Sequence, residues 1–287
     1  MFYSESDRTI KIIIENQLSH EVKDWLHLKL KKCNEQPSQR ELYLTYSLIA
    51  SKVPAFTIDF KNPEKDTLEV YLKQQNANLP ELTRIHFLTE LLKNNSDFYT
   101  PLVKNIIQVA DKTELATFLK FLLLLPEPGN YKEVAVDALR TNITSVFDAI
   151  ALDNPYPSVY FTKEQWNQLF LKAAFMERDL RRIVHIDKMA NPELSRIISD
   201  YAHERWKASR TVNPYFWRPV TSFMDTVILE DMKNLFESSN PIENKAATLC
   251  CYHSGDGKAK QLLLTHATWV NAVENGTLTW NTLTNKV

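Results

Sequence analysis

The densest cluster of reactive side chains in the sequence is DYAHERWKA, Asp200 to Ala208, which sets Asp200, His203, Glu204, Arg205 and Lys207 within about two helical turns. Such a set could move a proton or hold a metal, or it could be an ordinary salt-bridged surface. At about 100° per residue, Leu194, Ile197, Ile198, Tyr201 and Ala208 share one helical face, the expected core face. Arg196, Asp200, His203 and Lys207 share the opposite face. Their spacings of three and four give pairs worth about 0.2–0.5 kcal/mol each. A solvated charged face is the plainer reading, and a His203–Asp200 site is the sharper one.

Arg205 stands apart. On the same wheel it projects close to Leu194, so its guanidinium enters the apolar stripe or passes through it. A buried arginine stays charged and requires a carboxylate, backbone carbonyls or an anionic ligand. It is either a structural anchor, to Asp153, Asp148 or a helix C-terminus, or a clamp for an anion.

Other candidates surround it in sequence. The segment Thr162 to Glu177 carries Trp166, Leu169, Phe170 and Ala173 on one side and Leu171 and Phe175 on the other, which predicts a helix sandwiched between neighbours. Asn167 falls inside this apolar surface and must find amide partners, in the DNPYP loop or on a ligand. Arg140 and Asn142 flank the preceding apolar face and pose the same choice. In DNPYPSVYF, Asp153, Tyr156, Tyr160 and Phe161 could wall a pocket with polar tips or seal a helix junction. From Lys172 to Arg218 ten basic residues face six acidic ones, with Trp206, Phe216 and Trp217 interleaved; Lys172 and Arg182 are candidate anion contacts, and His185 could pair with Asp187.

Several chemistries are excluded by pattern. Glycine occurs four times where average usage would give roughly 20, and no pair has the spacing of a dinucleotide or phosphate loop. There is no H-E-x-x-H, C-x-x-C or G-x-S-x-G. Cys250, Cys251 and His253 lack a second pair at zinc spacing, so core packing is expected, with no metal and no cofactor. The net charge of −1 gives no general attraction for nucleic acid, although a helical array with a basic stripe is a third reading. Three cysteines, two adjacent, make a poor disulfide framework and suit a reducing cytoplasm. The N-terminus lacks the pattern of an export signal. The longest greasy run, Leu115 to Leu125, is interrupted by Lys120 and falls short of the roughly 20 apolar residues of a transmembrane helix; a buried core helix is expected there.

What positions these residues is a set of helices. Asn-Pro occurs at 62, 154, 191, 213 and 240, where Asn can cap a helix and Pro supplies its first turn; at least three should start helices. Between these and other caps, Ser19, Ser38, Ser96 and Thr162, lie segments of helical periodicity such as Val22, Trp25, Leu26 and Leu30. The expectation is an all-α chain, 1–287 as a single domain, of about a dozen helices. They would stack as antiparallel hairpins in a HEAT- or armadillo-like superhelix, with a compact orthogonal bundle as the alternative. FTIDF, Phe56 to Phe60, alternates like a strand but has no partner and reads as an extended connection.

Arg140 to Phe175 with DYAHERW, through the ordered phrases LDNPYP, YF, WNQ, LKA and YAHERW, resembles the EboA family, most densely from about 122 to 220. The resemblance implies a cytoplasmic helical protein encoded with a bacterial small-molecule biosynthesis and export cluster. Its implied role is an accessory or catalytic step in making or moving a secondary metabolite. The leading expectation is a non-catalytic protein that binds a small anionic or polar metabolite, proteins of the same cluster, or both. The alternative is an enzyme in which Arg205 with Lys172 or Arg182 holds an anionic group and His185, His203 or Asp153 moves a proton.

Overall fold

A computed structural model describes residues 6–56, 58 and 67–283. Among these residues the chain is three-quarters helical with no strand. The helices are often shorter than the sequence periodicity suggests, from 4 residues at Ile106–Val109 to 16 at Leu79–Asn94. Four Asn-Pro pairs lie in the described part. At Asn191, Asn213 and Asn240 the side chain accepts from a backbone N–H of the helical turn that follows, and Asn154 does the same for Tyr156 just before Tyr156–Tyr160. The Asn62-Pro63 pair and the centre of FTIDF lie outside the described residues. Ser19, Ser38 and Thr162 are N-caps, whereas Asn95 takes the position expected for Ser96. The run Leu115 to Leu125 is buried from Phe118 on in its apolar residues, with Leu115 and Ala116 half-buried, and it breaks at Phe121, the α-helix Lys112–Lys120 giving way to a 3-10 turn, Leu122–Leu124.

The chain divides into two compact units, residues 1–161 and 162–287. The N-terminal unit is built around Leu79–Asn94, which the helices Ser6–Gln17, His20–Glu35, Gln39–Lys52, Ser96–Lys104 and Lys112–Lys120 contact. Nearly every residue of this helix from Leu79 to Leu92 is buried. Its six buried Leu, Ile and Phe side chains beyond Leu79, namely Leu82, Ile85, Phe87, Leu88, Leu91 and Leu92, each contribute about 1.5–3 kcal/mol on removal from water.

Being enclosed on all sides, this helix also buries charge. Arg84 is 3% exposed; its Nε donates to the Tyr46 carbonyl at 3.0 Å, Nη2 lies 3.5 Å from Glu114 Oε1, and the guanidinium sits 5.2 Å from the Tyr46 ring centroid. Glu114 in turn accepts from the Asp111 N–H in a capping box, and Tyr46 Oη donates to the Glu114 carbonyl. Glu81 caps its own helix and takes Lys120 Nζ at 2.9 Å. The sequence had not singled out Arg84, which is the buried arginine of this unit.

Asn154 ties this unit together further on. Its amide donates to the carbonyls of Leu119 and Ala149 while its oxygen accepts from Tyr156 N. Asp153 adopts a left-handed backbone, φ 53°, which Asp tolerates, and its carbonyl accepts from Gln75 Nε2. Tyr156 is buried and donates to the Pro128 carbonyl at 2.8 Å, with Tyr160 4.7 Å and Phe161 6.2 Å away between ring centroids. A Cβ at Gly129 would lie 3.3 Å from Tyr160 Cε1, so the tyrosine ring fills the space a larger residue would need.

In the C-terminal unit, Pro192–Lys207 packs against the 3-10 segment Pro214–Ser222 and the helix Thr226–Glu237, and Pro241–His253 packs against both of these. Cys250 and Cys251 are buried in that last helix; burial pushes both thiols up, Cys251 to about 12, and Cys250 Sγ approaches the Trp217 carbonyl. Core packing is what these cysteines do.

Replacing Arg84 by Ala leaves Glu114 buried without its cation. The expected cost is about 3–5 kcal/mol, read as a lower urea midpoint, and the Arg84→Met/Glu114→Gln double variant should recover much of it.

Candidate functional site

Helix Pro192–Lys207 starts where Asn191 accepts from Leu194 N at 3.0 Å. The Asn191 amide also donates to Asn167 Oδ1 at 2.8 Å, and Asn167 Nδ2 returns a bond to Asn191 Oδ1 at 3.3 Å. Asn167 thus satisfies its buried amide on a helix cap, not on the DNPYP loop or a ligand. The pair fixes helix Lys163–Phe175 against the start of Pro192–Lys207.

The buried face of Pro192–Lys207 is Leu194, Ser195, Ile198, Ser199 and Ala202. Ile197 and Tyr201 are only partly covered and Ala208 is exposed, so the core face is rotated by roughly a quarter turn from the apolar stripe. The cause is Asp231, 0% exposed on Thr226–Glu237. Ser199 Oγ donates to Asp231 Oδ2 at 2.5 Å, and His203 Nε2 meets Oδ1 at 2.6 Å. His203 was expected on a solvated face beside Asp200; its partner is Asp231, and Asp200 pairs with Arg196 at 2.6 Å. Burial raises the Asp231 carboxyl above its ordinary value, against the lowering effects of Ser199 and His203. The serine bonds the carboxylate and not the imidazole, so this cluster lacks the serine-to-histidine contact of an activated nucleophile.

One turn further along, Arg205 is not buried in the stripe. Its Nε and Nη2 both donate to the Thr211 carbonyl, at 3.0 and 2.8 Å, and the guanidinium lies 5.8 Å from the Tyr201 ring centroid. The wheel placed it near Leu194, but it sits in the last turn, where the chain reverses at Ser209 with φ 54° and its own carbonyls end. Its anchor is a loop carbonyl.

Arg205 lines a cleft of ≈ 870 Å³ together with Phe175, Tyr201, Arg210 and Phe216, and with Glu177 and Glu204. An aromatic row leads into it: Trp166 stacks on Phe170 at 5.6 Å, Phe170 on Phe216 at 5.6 Å, and Tyr201 meets Phe216 edge-on at 5.2 Å. Phe175 is 79% exposed. The helix Lys163–Phe175, expected to be covered all round, leaves Phe175 of its second apolar side exposed at this cleft. Among the described residues the Arg210 side chain has no hydrogen-bond or ion-pair partner, and neither does Arg205 Nη1. The arrangement can receive a planar or apolar group against the rings and a polar or anionic group at the guanidinium groups.

The other candidates lie elsewhere. Arg140 is highly exposed and pairs with Asp137 at 3.1 Å, and Asn142 is exposed outside any helix; neither flanks a buried face. Asp153, Tyr156 and Tyr160 belong to the N-terminal unit, where the tyrosines pack on the 128–131 turn. Trp166 is in the interior of the C-terminal unit, Lys172 is half-buried on the Phe175 helix, and Arg182 is exposed in a 3-10 turn. Asp187 pairs with Arg218 through two bonds of 2.8 and 2.6 Å, not with His185. Among the described residues no group of three or more His, Cys, Asp or Glu is placed to hold a metal ion, and no helix is long and apolar enough to cross a membrane. Asp231 and Arg210 were missed in sequence. Asp231 left a signal: it borders the stripe Ile228, Met232, Leu235 of its own helix.

Comparison with known families matches residues 7–221 to the family described as "Metabolite traffic protein EboA". The chain belongs to the EboA family. The match includes Arg205, Arg210 and Phe216 of the cleft and leaves residues 222–287, with Asp231, outside it. No curated protein and no solved structure matches the chain. For this EboA family member, therefore, the residues of the cleft carry the functional argument.

The raised carboxyl of Asp231 has a defined pH signature. The native state holds a proton there that the unfolded chain, near 3.8, has released, so this contribution to stability is present at low pH and lost as pH rises through the native value. The wild type should therefore lose stability relative to Asp231→Asn as pH rises above about 3.8, then level off. Urea midpoints at stepped pH check it; a difference that grows in favour of wild type over that window contradicts the assignment.

Proposed function

We propose that this EboA family member is a non-catalytic accessory protein that binds a small polar or anionic metabolite in the Arg205 cleft, during the biosynthesis or export of that molecule. The observation that carries the reading is the pairing of spare guanidinium donors, on Arg205 and Arg210, with the exposed ring of Phe175, the half-buried ring of Tyr201 and the buried Phe216 behind them around one open volume. Two acids, Glu177 and Glu204, line it as well, which favours a ligand with mixed polar groups over a highly charged one. The family's description as a metabolite traffic protein agrees with this role. Proteins of the same pathway are the proposed partners that deliver or collect the ligand. A cytoplasmic setting is supported by three free, buried thiols. For the arrangement of helices, the enclosure of Leu79–Asn94 by five others favours a compact bundle in the N-terminal unit over an open stacked array.

The enzyme reading has one observation in its favour, the His203–Asp231 contact, in which a buried carboxylate orients a half-exposed imidazole. It would require His203→Ala to abolish turnover of a pathway intermediate by the isolated protein.

The binding reading is tested by mass spectrometry of small molecules retained through native purification. Arg210→Ala, which removes no hydrogen bond or ion pair among the described residues, and Phe175→Ala should each reduce retention, Arg210→Ala by about tenfold or more, as expected for loss of a charge-assisted bond. Unchanged retention in both variants, or none in wild type, counts against the cleft.

A further inference from the structure

A second cleft lies wholly within the N-terminal unit, ≈ 820 Å³ in volume, where the helices Ser6–Gln17, His20–Glu35 and Leu79–Asn94 meet. Its lining includes the aliphatic side chains Ile14, Leu18, Leu26 and Leu30, and two polar groups one helical turn apart on Leu79–Asn94, His86 and Glu90. His86 is 7% exposed, its Nδ1 is shut off from solvent without a hydrogen-bond partner, and no described residue bonds its ring. Burial lowers its basicity, against the raising effect of Glu90, which favours the neutral imidazole. A buried polar atom left unsatisfied costs about 1–3 kcal/mol. Five described residues carry a buried polar atom without a partner, and His86 is the one of them that lines this cleft, where a group from outside the chain can complete it.

The charges around the cleft indicate what that is. Lys11 lies 3.9 Å from Glu15 and Lys31 3.8 Å from Glu35, and Asp24 takes His20 at 2.8 Å. Glu90 is partly buried and, among the described residues, has no ion-pair or hydrogen-bond partner. Lys23, also in the lining, lacks a side-chain partner among the described residues as well, but the end formed by Leu79–Asn94 offers the Glu90 carboxylate and the His86 imidazole one helical turn apart, both able to accept, over a floor of aliphatic carbon. Three donors on one cationic nitrogen match two acceptors at i and i+4 better than a hydroxyl or a carboxylate does.

We propose that this cleft is a separate ligand site for a small amphipathic amine, its ammonium group held between Glu90 and His86 and its alkyl part lying along Ile14, Leu18, Leu26 and Leu30. The site is independent of the Arg205 cleft, and its ligand has the opposite polarity. It gives the protein two binding surfaces of different chemistry, one in each unit.

Isothermal titration of the full chain with n-octylammonium, n-octanol and octanoate tests the proposal. Octylammonium should bind at least about tenfold more tightly than the other two, the equivalent of one charge-assisted bond. Glu90→Gln should remove that preference, and Arg210→Ala should leave it intact. His86→Leu should weaken binding of octylammonium and, with the unsatisfied nitrogen gone, raise the thermal midpoint of the ligand-free protein. Octanol binding as tightly as octylammonium, a preference that survives Glu90→Gln, or an absence of octylammonium binding would each overturn it. Loss of the preference in Arg210→Ala would place the amine in the other cleft and overturn it as well.

Discussion

Asp231 has no access to water, and both of its carboxylate oxygens are met from one neighbouring helix, by Ser199 and by His203. Residues four apart lie on one side of a helix, so these two bonds set the rotation of Pro192–Lys207 about its axis. The serines and Ala202 are small enough to bring the helices close, and the helix buries them in preference to Ile197 and Tyr201. With that rotation fixed, Tyr201 and Arg205 turn to the side on which Phe216 and Phe175 stand. The cleft is a consequence of how one buried acid is satisfied.

The amide pair of Asn167 and Asn191 does the complementary job at the other end of the helix. It fixes the start of Pro192–Lys207 against Lys163–Phe175, and so brings Phe175 within reach of the residues at the helix C-terminus. The row Trp166, Phe170, Phe216 and Tyr201 then runs from interior to cleft in nearly parallel or edge-on contacts. Rigid aromatic walls lose little freedom when a ligand binds, and this favours a preformed site over one assembled around its ligand.

The N-terminal unit handles buried polarity by a different route. Leu79–Asn94 is enclosed on all sides, so its polar residues cannot escape to water and must find partners inside. Arg84 finds Glu114 and the Tyr46 carbonyl, Glu81 finds Lys120 and its own helix start, and Thr83 bonds back to Leu79. His86 finds none. Thr45 Oγ1 and Tyr131 Oη of the same unit are also unpartnered, but His86 is the one of the three that lines the cleft beside Glu90, where the helix is not fully covered.

What the sequence determined by itself is the helical class and the punctuation. Glycine scarcity, Asn-Pro starts and caps such as Ser19, Ser38 and Thr162 act over three or four residues, and local chain stereochemistry is enough to read them. The phrases around LDNPYP and YAHERW also carried the family. What only the tertiary structure decided is which side of each helix is buried and with whom each charge pairs. A wheel ranks faces by hydrophobicity alone, whereas a single buried carboxylate about thirty residues away in sequence can outweigh an isoleucine and a tyrosine, Ile197 and Tyr201. That turned His203 toward Asp231 and left Arg205 on a loop carbonyl at the edge of a cleft. Arg205 is not buried; the buried arginine is Arg84, to which the sequence pointed by no pattern, and its place was set by the packing of five other helices on Leu79–Asn94.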